Sequence, residues 1–187
     1  MRRWCILRGD VACGAGDYEA ARGLFEECLQ AGRELGDDFR TAIHLNNLAT
    51  VYHILGEYRA AQERYRESLA LCRQLDDREG EVMALGNLGE VAIVLDDLGQ
   101  ARMDGQEALR LARQIQNQWM TITCLSNLGE VACLDQDWDA ARAYLREALS
   151  LAWSSRTMPL VMKALVSIAQ YSAGQGQLQQ AAELLAL

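Results

Sequence analysis

Apolar residues recur at steps of three and four along two successive stretches of the chain. In residues 79–95, for example, Val82, Leu85 and Leu88 stand at this spacing, and residues 98–115 repeat the pattern. This spacing gathers apolar side chains on one face of an α-helix, whereas a half-buried strand would alternate them every second residue. The chain therefore predicts pairs of amphipathic helices, and no stretch predicts a strand.

Short polar turns separate the two helices of each pair. They end in Asp17, Glu57 and Asp97, whose carboxylates are suited to accept hydrogen bonds from the first backbone amides of a helix. Equally short polar segments join one pair to the next. Because short connections leave neighbouring helices antiparallel, we expect a row of helical hairpins.

The pattern repeats every forty residues without a gap or an insertion. The segments LGNLGEVA (85–92) and LSNLGEVA (125–132) are nearly identical, and whole columns of residues keep their type at this period. Two such columns are Leu29, Leu69, Leu109 and Leu149, and Ala21, Ala61, Ala101, Ala141 and Ala181. Repetition at such a period is typical of an array of stacked units.

These columns resemble the tetratricopeptide repeat, whose pattern is W-x2-L-G-x2-Y followed by A-x3-F and a proline. The matching segments are Leu45-x2-Leu48-Ala49-x2-Tyr52, Ala61-x3-Tyr65, Leu88-Gly89, Leu128-Gly129, Ala21-x3-Phe25 and Ala141-x3-Leu145. The resemblance implies an all-α fold, a right-handed α-solenoid (superhelix) of antiparallel helix pairs. Gly or Ala at positions 49, 89, 129 and 169 then lets helices approach closely.

The chain departs from the family pattern in several places. Leu replaces the Trp, Gly105 stands at the aromatic position, and no proline closes a repeat. The forty-residue period is shared with HEAT-type repeats, but the L-G and A-x3-aromatic columns favour the tetratricopeptide repeat. The chain resembles the forty-residue kind of array found in large bacterial regulators.

The period predicts one array over residues 1–187, with about five units. These are a partial repeat at 1–36, repeats at 37–76, 77–116 and 117–156, and a partial repeat at 157–187. Array ends normally carry a polar capping face, whereas Leu184, Leu185 and Leu187 leave an apolar one. We expect the chain to be a portion of a longer array, with uncapped ends that permit self-association.

Composition narrows the classes of partner. The net charge of −8 disfavours direct binding to nucleic acid, because attraction to phosphate needs a surplus of Lys and Arg. No apolar run is long enough for a membrane span, and the N-terminal segment lacks the apolar core of a signal peptide. The six cysteines form no C-x-x-C pair, which favours reduced packing residues of a cytoplasmic protein.

The residues that commonly perform catalysis or bind metal are poorly placed for either. Glu90 and Glu130 stand one period apart, and equivalent points on packed helices are about 10 Å apart, so we expect two solvated carboxylates. His44 and His53, the two histidines, fall on opposite faces of one helix. We therefore predict no enzyme activity, no metal site and no cofactor.

A column of amides marks the candidate groove. Asn47, Asn87 and Asn127, with Ser167 at its end, stand one residue before a buried leucine column. The resemblance implies that first helices line a concave surface, where an amide can both donate to and accept from a peptide backbone. The alternative is that these amides bond neighbouring helices and only fix the stacking. Both remain open at this point.

Two further columns accompany the amides on nearly the same face. One turn later stand Thr50, Glu90, Glu130 and Gln170, and one turn earlier stand Ile43, Met83, Thr123 and Lys163. The first set makes the groove acidic, which favours a basic or neutral segment. The second set is irregular and is where we expect specificity.

The sequence thus predicts a non-catalytic scaffold for a protein or peptide segment, as a fragment of a larger multidomain bacterial signalling or transcriptional regulator. In that setting the partner could also be another domain of the same parent chain. Two alternatives stay open: a peptide-pheromone receptor, and a self-association module.

Overall fold

The computed structural model describes residues 12–154. After a helical turn at residues 12–14, this part of the chain contains seven α-helices of 17 residues each. They are α1 (Tyr18–Glu34), α2 (Asp38–Ile54), α3 (Tyr58–Gln74), α4 (Arg78–Val94), α5 (Leu98–Gln114), α6 (Gln118–Leu134) and α7 (Trp138–Ser154). Three residues link each helix to the next, and the described residues include no strand.

The links stop each helix and begin the next by the same local means. The middle residue of each link has a positive φ, which reverses the backbone after the helix. These residues are Gly16, Gly36, Gly56, Asp76, Asp96, Gln116 and Gln136. The last residue of each link except Glu57 then caps the following helix, as where Asp17 Oδ1 accepts a hydrogen bond from Ala20 N (3.1 Å).

Two of the three predicted caps are confirmed. Asp17 and Asp97 both accept a hydrogen bond from a backbone amide, Asp97 from Gln100 N at 3.0 Å. The prediction is wrong for Glu57, whose side chain makes no capping hydrogen bond. A glutamate carries one more methylene than aspartate, so its carboxylate is poorly placed to fold back onto its own helix.

The chain divides into two compact units, and the first is Met1–Leu95. Within it α1, α2, α3 and α4 pack in sequence, each on the next, and α2 also contacts α4. A buried cluster at the N-terminal end contains Ala21, Phe25, Leu29, Leu45, Leu48 and Val51. Burial of this apolar surface is the main stabilising term for the unit.

The second unit is Asp96–Leu187, of which α5, α6 and α7 are described. Here α6 packs on both α5 and α7. A Cβ on Gly129 of α6 would lie 2.7 Å from Leu145 Cγ and Cδ2, so this approach requires a residue without a side chain. The prediction that a small residue at position 129 permits close helix packing is confirmed.

The structure confirms the predicted all-α fold of consecutively packed helix pairs. The alanine column is buried, with Ala21, Ala61, Ala101 and Ala141 at most 1% exposed. Helix bounds repeat at forty residues through the described part of the chain. The division of residues 1–187 into five units stays a prediction. Among the described helices, none is long and apolar enough to cross a membrane.

Candidate functional site

A single stripe of side chains on the middle turns of α2 and α4 reaches solvent. Between residues 41 and 51 of α2, and between 80 and 92 of α4, all positions outside this stripe are buried. The stripe, called the α2–α4 face below, consists of Phe39, Ile43, Asn46, Asn47, Thr50 and Ile54 of α2 with Glu79, Met83, Gly86, Asn87, Glu90 and Val94 of α4. Because the middle turns are buried elsewhere, a partner can reach them only along this face.

Amides occupy the centre of the α2–α4 face. Asn87 Nδ2 donates a hydrogen bond to Asn46 Oδ1 at 3.0 Å, and this bond joins α2 directly to α4. It supports the stacking alternative for Asn87. Asn47 is half-buried beside this pair, and peptide contact stays a prediction for it.

A buried tyrosine lies beneath the face. Thr50 Oγ1 donates to Asn46 O (3.0 Å) and lies 3.0 Å from Tyr65 Oη. Since Thr50 has one hydroxyl proton, Tyr65 is the donor in the second bond. Burial, aided by the negative charge of Glu90, raises the pKa of Tyr65 to about 12. The hydroxyl of the predicted groove residue Thr50 therefore makes both of its hydrogen bonds within the protein.

Apolar side chains lie toward both ends of the α2–α4 face. Phe39 and Met83, toward the helix N-termini, are 52% and 47% exposed, and Ile43 beside them is half-buried. Ile54 and Val94 lie at the C-terminal ends and are 50% and 48% exposed. The polar centre is therefore flanked by apolar surface, an arrangement suited to a segment with alternating backbone and side-chain contacts.

The charge of the face has one sign. Glu79 and Glu90 are its ionisable side chains, and no Lys or Arg stands at its twelve positions. Glu90 is acidic and half-buried here, and its place in a binding groove stays a prediction.

The remaining predicted groove residues lie elsewhere. Thr123, Asn127 and Glu130 belong to α6 in the second unit, where Thr123 Oγ1 donates to Trp119 O at 3.0 Å. Lys163 and Gln170 lie outside the described residues.

The described residues contain no group of three or more His, Cys, Asp or Glu side chains that could hold a metal ion. None of their five cysteines forms a disulfide. Burial raises the pKa of both Cys124 and Cys133 to about 11, so these thiols stay protonated at neutral pH and are poor nucleophiles.

Sequence reasoning missed Asn46 and Gly86, which lie at the centre of the face. They share one column with Ser126, so the residue type changes from helix to helix and the search for constant columns passes over it. They can be found from the helical spacing of positions 39, 43, 46, 50 and 54 and of their equivalents in α4, which lie on one face of each helix.

The sequence profile of the tetratricopeptide repeat matches residues 5–74 and 80–154. The chain therefore belongs to the tetratricopeptide repeat family, and the resemblance carried by its columns is confirmed. No curated protein has a sequence that matches this chain.

Solved structures of repeat proteins are similar in fold. BtubC (BKLC) from P. vanneervenii has a TM-score of 0.79 at 19% identity, over 96% of this chain and 75% of that one. A Rap protein complexed with competence and sporulation factor has a TM-score of 0.81 at 16% identity, over 98% of this chain and 51% of that one.

A signal transduction ATPase with numerous domains, from Pyrococcus horikoshii, carries a tetratricopeptide repeat sensor and is also similar. Its TM-score is 0.79 at 15% identity, over 91% of this chain and 26% of that one. The chain thus spans about half of the Rap protein and about a quarter of the ATPase. At these identities the likeness concerns the fold.

Proposed function

We propose that this protein is a non-catalytic scaffold that binds a protein or peptide segment along the α2–α4 face. The observation that carries the proposal is the burial of the middle turns of α2 (41–51) and α4 (80–92) everywhere except on this stripe. The apolar side chains exposed at both ends of the face support a contact with a partner, because exposed apolar surface rimmed by polar residues marks protein interaction sites. Membership of a repeat family supports a binding role.

The amides supply the chemistry of the proposed contact. An asparagine side chain both donates and accepts, so Asn47 can bond successive backbone groups of an extended segment without reading its sequence. The Asn46–Asn87 bond holds α2 and α4 in the relative position that such a segment needs. Apolar positions at either end then select side chains.

The experiment selects ligands for the whole chain from a phage-displayed library of random twelve-residue peptides. We expect peptides that bind with a Kd in the micromolar range, about −8 kcal/mol. Asn47→Ala should weaken this binding about tenfold, since it removes one or two hydrogen bonds to a partner. The matched control is Gln62→Ala, which removes a half-buried amide on α3, away from the face. Recovery of no binding peptide, or equal binding by both variants, argues against the proposal.

We further propose that the protein acts in the cytoplasm as the sensing arm of a larger bacterial signalling or transcriptional regulator. The similar ATPase from Pyrococcus horikoshii, in which the repeats are named a sensor, supports this. The likeness to a Rap protein in complex with a peptide factor supports a peptide receptor as the second candidate.

The mass of the native gene product separates these two candidates. An antibody against the array, used on lysate of the native cells, should detect a species much larger than 20.8 kDa if the array is an arm of a regulator. A species near 20.8 kDa would contradict the regulator and favour a free-standing receptor or adaptor.

A further inference from the structure

Gly86 is a glycine that its own chain does not require. It lies in the middle of α4, and a Cβ built there would meet no atom within 4 Å. Glycine in a helix interior is unfavourable relative to alanine because it loses more backbone freedom on folding. Gly80 and Gly129, by contrast, are pressed against neighbouring atoms at 2.5 and 2.7 Å. Packing therefore explains those two glycines and does not explain Gly86.

The position of Gly86 gives its missing side chain a consequence. It stands on the α2–α4 face one turn from both Met83 and Glu90, and beside the Asn46–Asn87 hydrogen bond. Each of these two residues is one turn from Gly86, a separation of roughly 5–6 Å along the helix surface. Between the side chains of Met83 and Glu90 the backbone of α4 is bare, which leaves a notch in the centre of the face.

The walls of the notch define what fits it. Met83 is 47% exposed, and a thioether adapts its shape to an apolar or aromatic partner. Glu90 on the other side is half-buried, and the face carries no cation of its own to neutralise it. An apolar group beside a cation complements both walls.

We propose that an extended segment of a partner protein crosses the face at Gly86, with one large apolar side chain seated on the bare backbone of α4. A Lys or Arg within four residues of that side chain faces Glu90. This inference rests on the proposed function, and it adds the chemistry of the segment and the place where it is anchored.

The test uses the selected peptides described above, synthesised with a fluorescein label, and measures Kd by fluorescence anisotropy. The selected peptides should share a Phe, Trp, Leu or Met with a Lys or Arg nearby. Gly86→Ala fills the notch with a methyl group and should raise Kd about tenfold, while it raises Tm because alanine is the better helix former. Loss of binding by a more stable protein is an outcome that a structural role for Gly86 does not produce.

Gly23→Ala is the matched control. Gly23 also lies inside a helix, α1, and its Cβ would also meet no atom within 4 Å. The Tm of the Gly23→Ala variant should rise as for Gly86→Ala, but its Kd for the peptides should stay within about twofold of that of the native chain. Glu90→Gln should raise Kd severalfold at low salt, and the effect should shrink as salt screens the charge.

The outcomes separate the two proposals. Peptides whose binding falls with Asn47→Ala but is unchanged by Gly86→Ala overturn the anchor at Gly86 and leave the scaffold function standing. Peptides without a shared apolar residue do the same. If no peptide binds with a Kd below about 100 μM, the scaffold function fails and the anchor fails with it.

Discussion

In the first unit, the contact of α1 with α2 and the contact of α3 with α4 have the same helix arrangement but different side chains between the helices. Each of these contacts is called a joint below. Where α1 meets α2, the glycine is on the first helix: a Cβ on Gly32 would lie 2.9 Å from Thr41 Oγ1. That hydroxyl donates to Asp37 O at 2.8 Å. The joint is therefore closed by one small residue and one neutral hydroxyl that bonds within its own helix.

Where α3 meets α4, the glycine has moved to the second helix. A Cβ on Gly80 would lie 2.6 Å from Cys72 Sγ, the residue equivalent to Gly32. In place of the threonine stands Glu81, which is 2% exposed and lies 3.0 Å from Arg78 and 3.7 Å from Arg73. Helix approach thus needs one small residue at each joint, on either helix, and the remaining volume can be filled by a hydroxyl or by an ion pair.

The largest effect is expected from removing both arginines that face Glu81. Arg73→Ala combined with Arg78→Ala leaves a buried carboxylate without a cation, which should cost about 2–4 kcal/mol of unfolding free energy. Urea denaturation followed by circular dichroism measures it. The control, Glu81→Thr, installs the residue of the first joint and should stay within about 1 kcal/mol of the native chain. Equal losses in both variants would contradict the importance of the buried charge.

A smaller loss is expected from Gly80→Ala, which forces a methyl group against Cys72 and should cost about 1–3 kcal/mol. Adding Cys72→Gly recreates the first joint and should restore part of the loss. Gly86→Ala, the same change in open space on the same helix, should instead stabilise the chain. A double variant whose loss equals the sum of the single losses would show that the two sites are independent.

Exchanging the residue types at the equivalent link positions 36 and 76 should change stability in opposite directions. Gly36 has a φ of +62° and Asp76 a φ of +56°, and glycine adopts this region without strain. Asp76→Gly should therefore add about 0.5 kcal/mol of stability and Gly36→Asp should remove a similar amount. Urea midpoints measure both, and shifts of the same sign would contradict the shared geometry.

The last effect depends on pH and concerns His44 of α2, whose equivalent in α4 is Ala84. Burial, aided by the charge of Arg40 and opposed by Asp37, lowers the pKa of His44. The unfolded chain then binds a proton that the folded chain resists, so stability should fall as pH drops below about 6.5, by at most about 1.4 kcal/mol per unit. His44→Ala should flatten this part of the stability curve measured by urea denaturation at several pH values, and an unchanged slope would refute the assignment.

Much of the fold follows from local rules that the sequence displays. Helix bounds recur because every link supplies a reversal and a polar residue, and the columns of leucine and alanine keep the helices in register. The reversal itself is less visible, because the later links place Asp76 and Gln116 where the earlier ones have glycine. There the packed helices on either side impose a conformation that the residue type does not favour.

The candidate site was harder to predict because its residues do not repeat. Asn87 belongs to a constant column, but its hydrogen-bond partner Asn46 does not. Pairs between alternate helices were also overlooked, although their columns do repeat: Arg33 bonds Glu67, and Arg113 bonds Glu147 at 2.6 Å. These residues are 34 positions apart, a spacing that a search at forty does not test.

The equal length of every described helix and link has an evolutionary consequence. A forty-residue segment can begin at any point of the pattern and still carry one complete set of caps, reversals and core positions. An in-frame duplication or loss of such a segment in the gene therefore joins compatible ends wherever recombination occurs. Chains of this kind can change in length by whole repeats while each surviving repeat keeps its neighbours' chemistry, and a binding surface can be lengthened before any residue on it is altered.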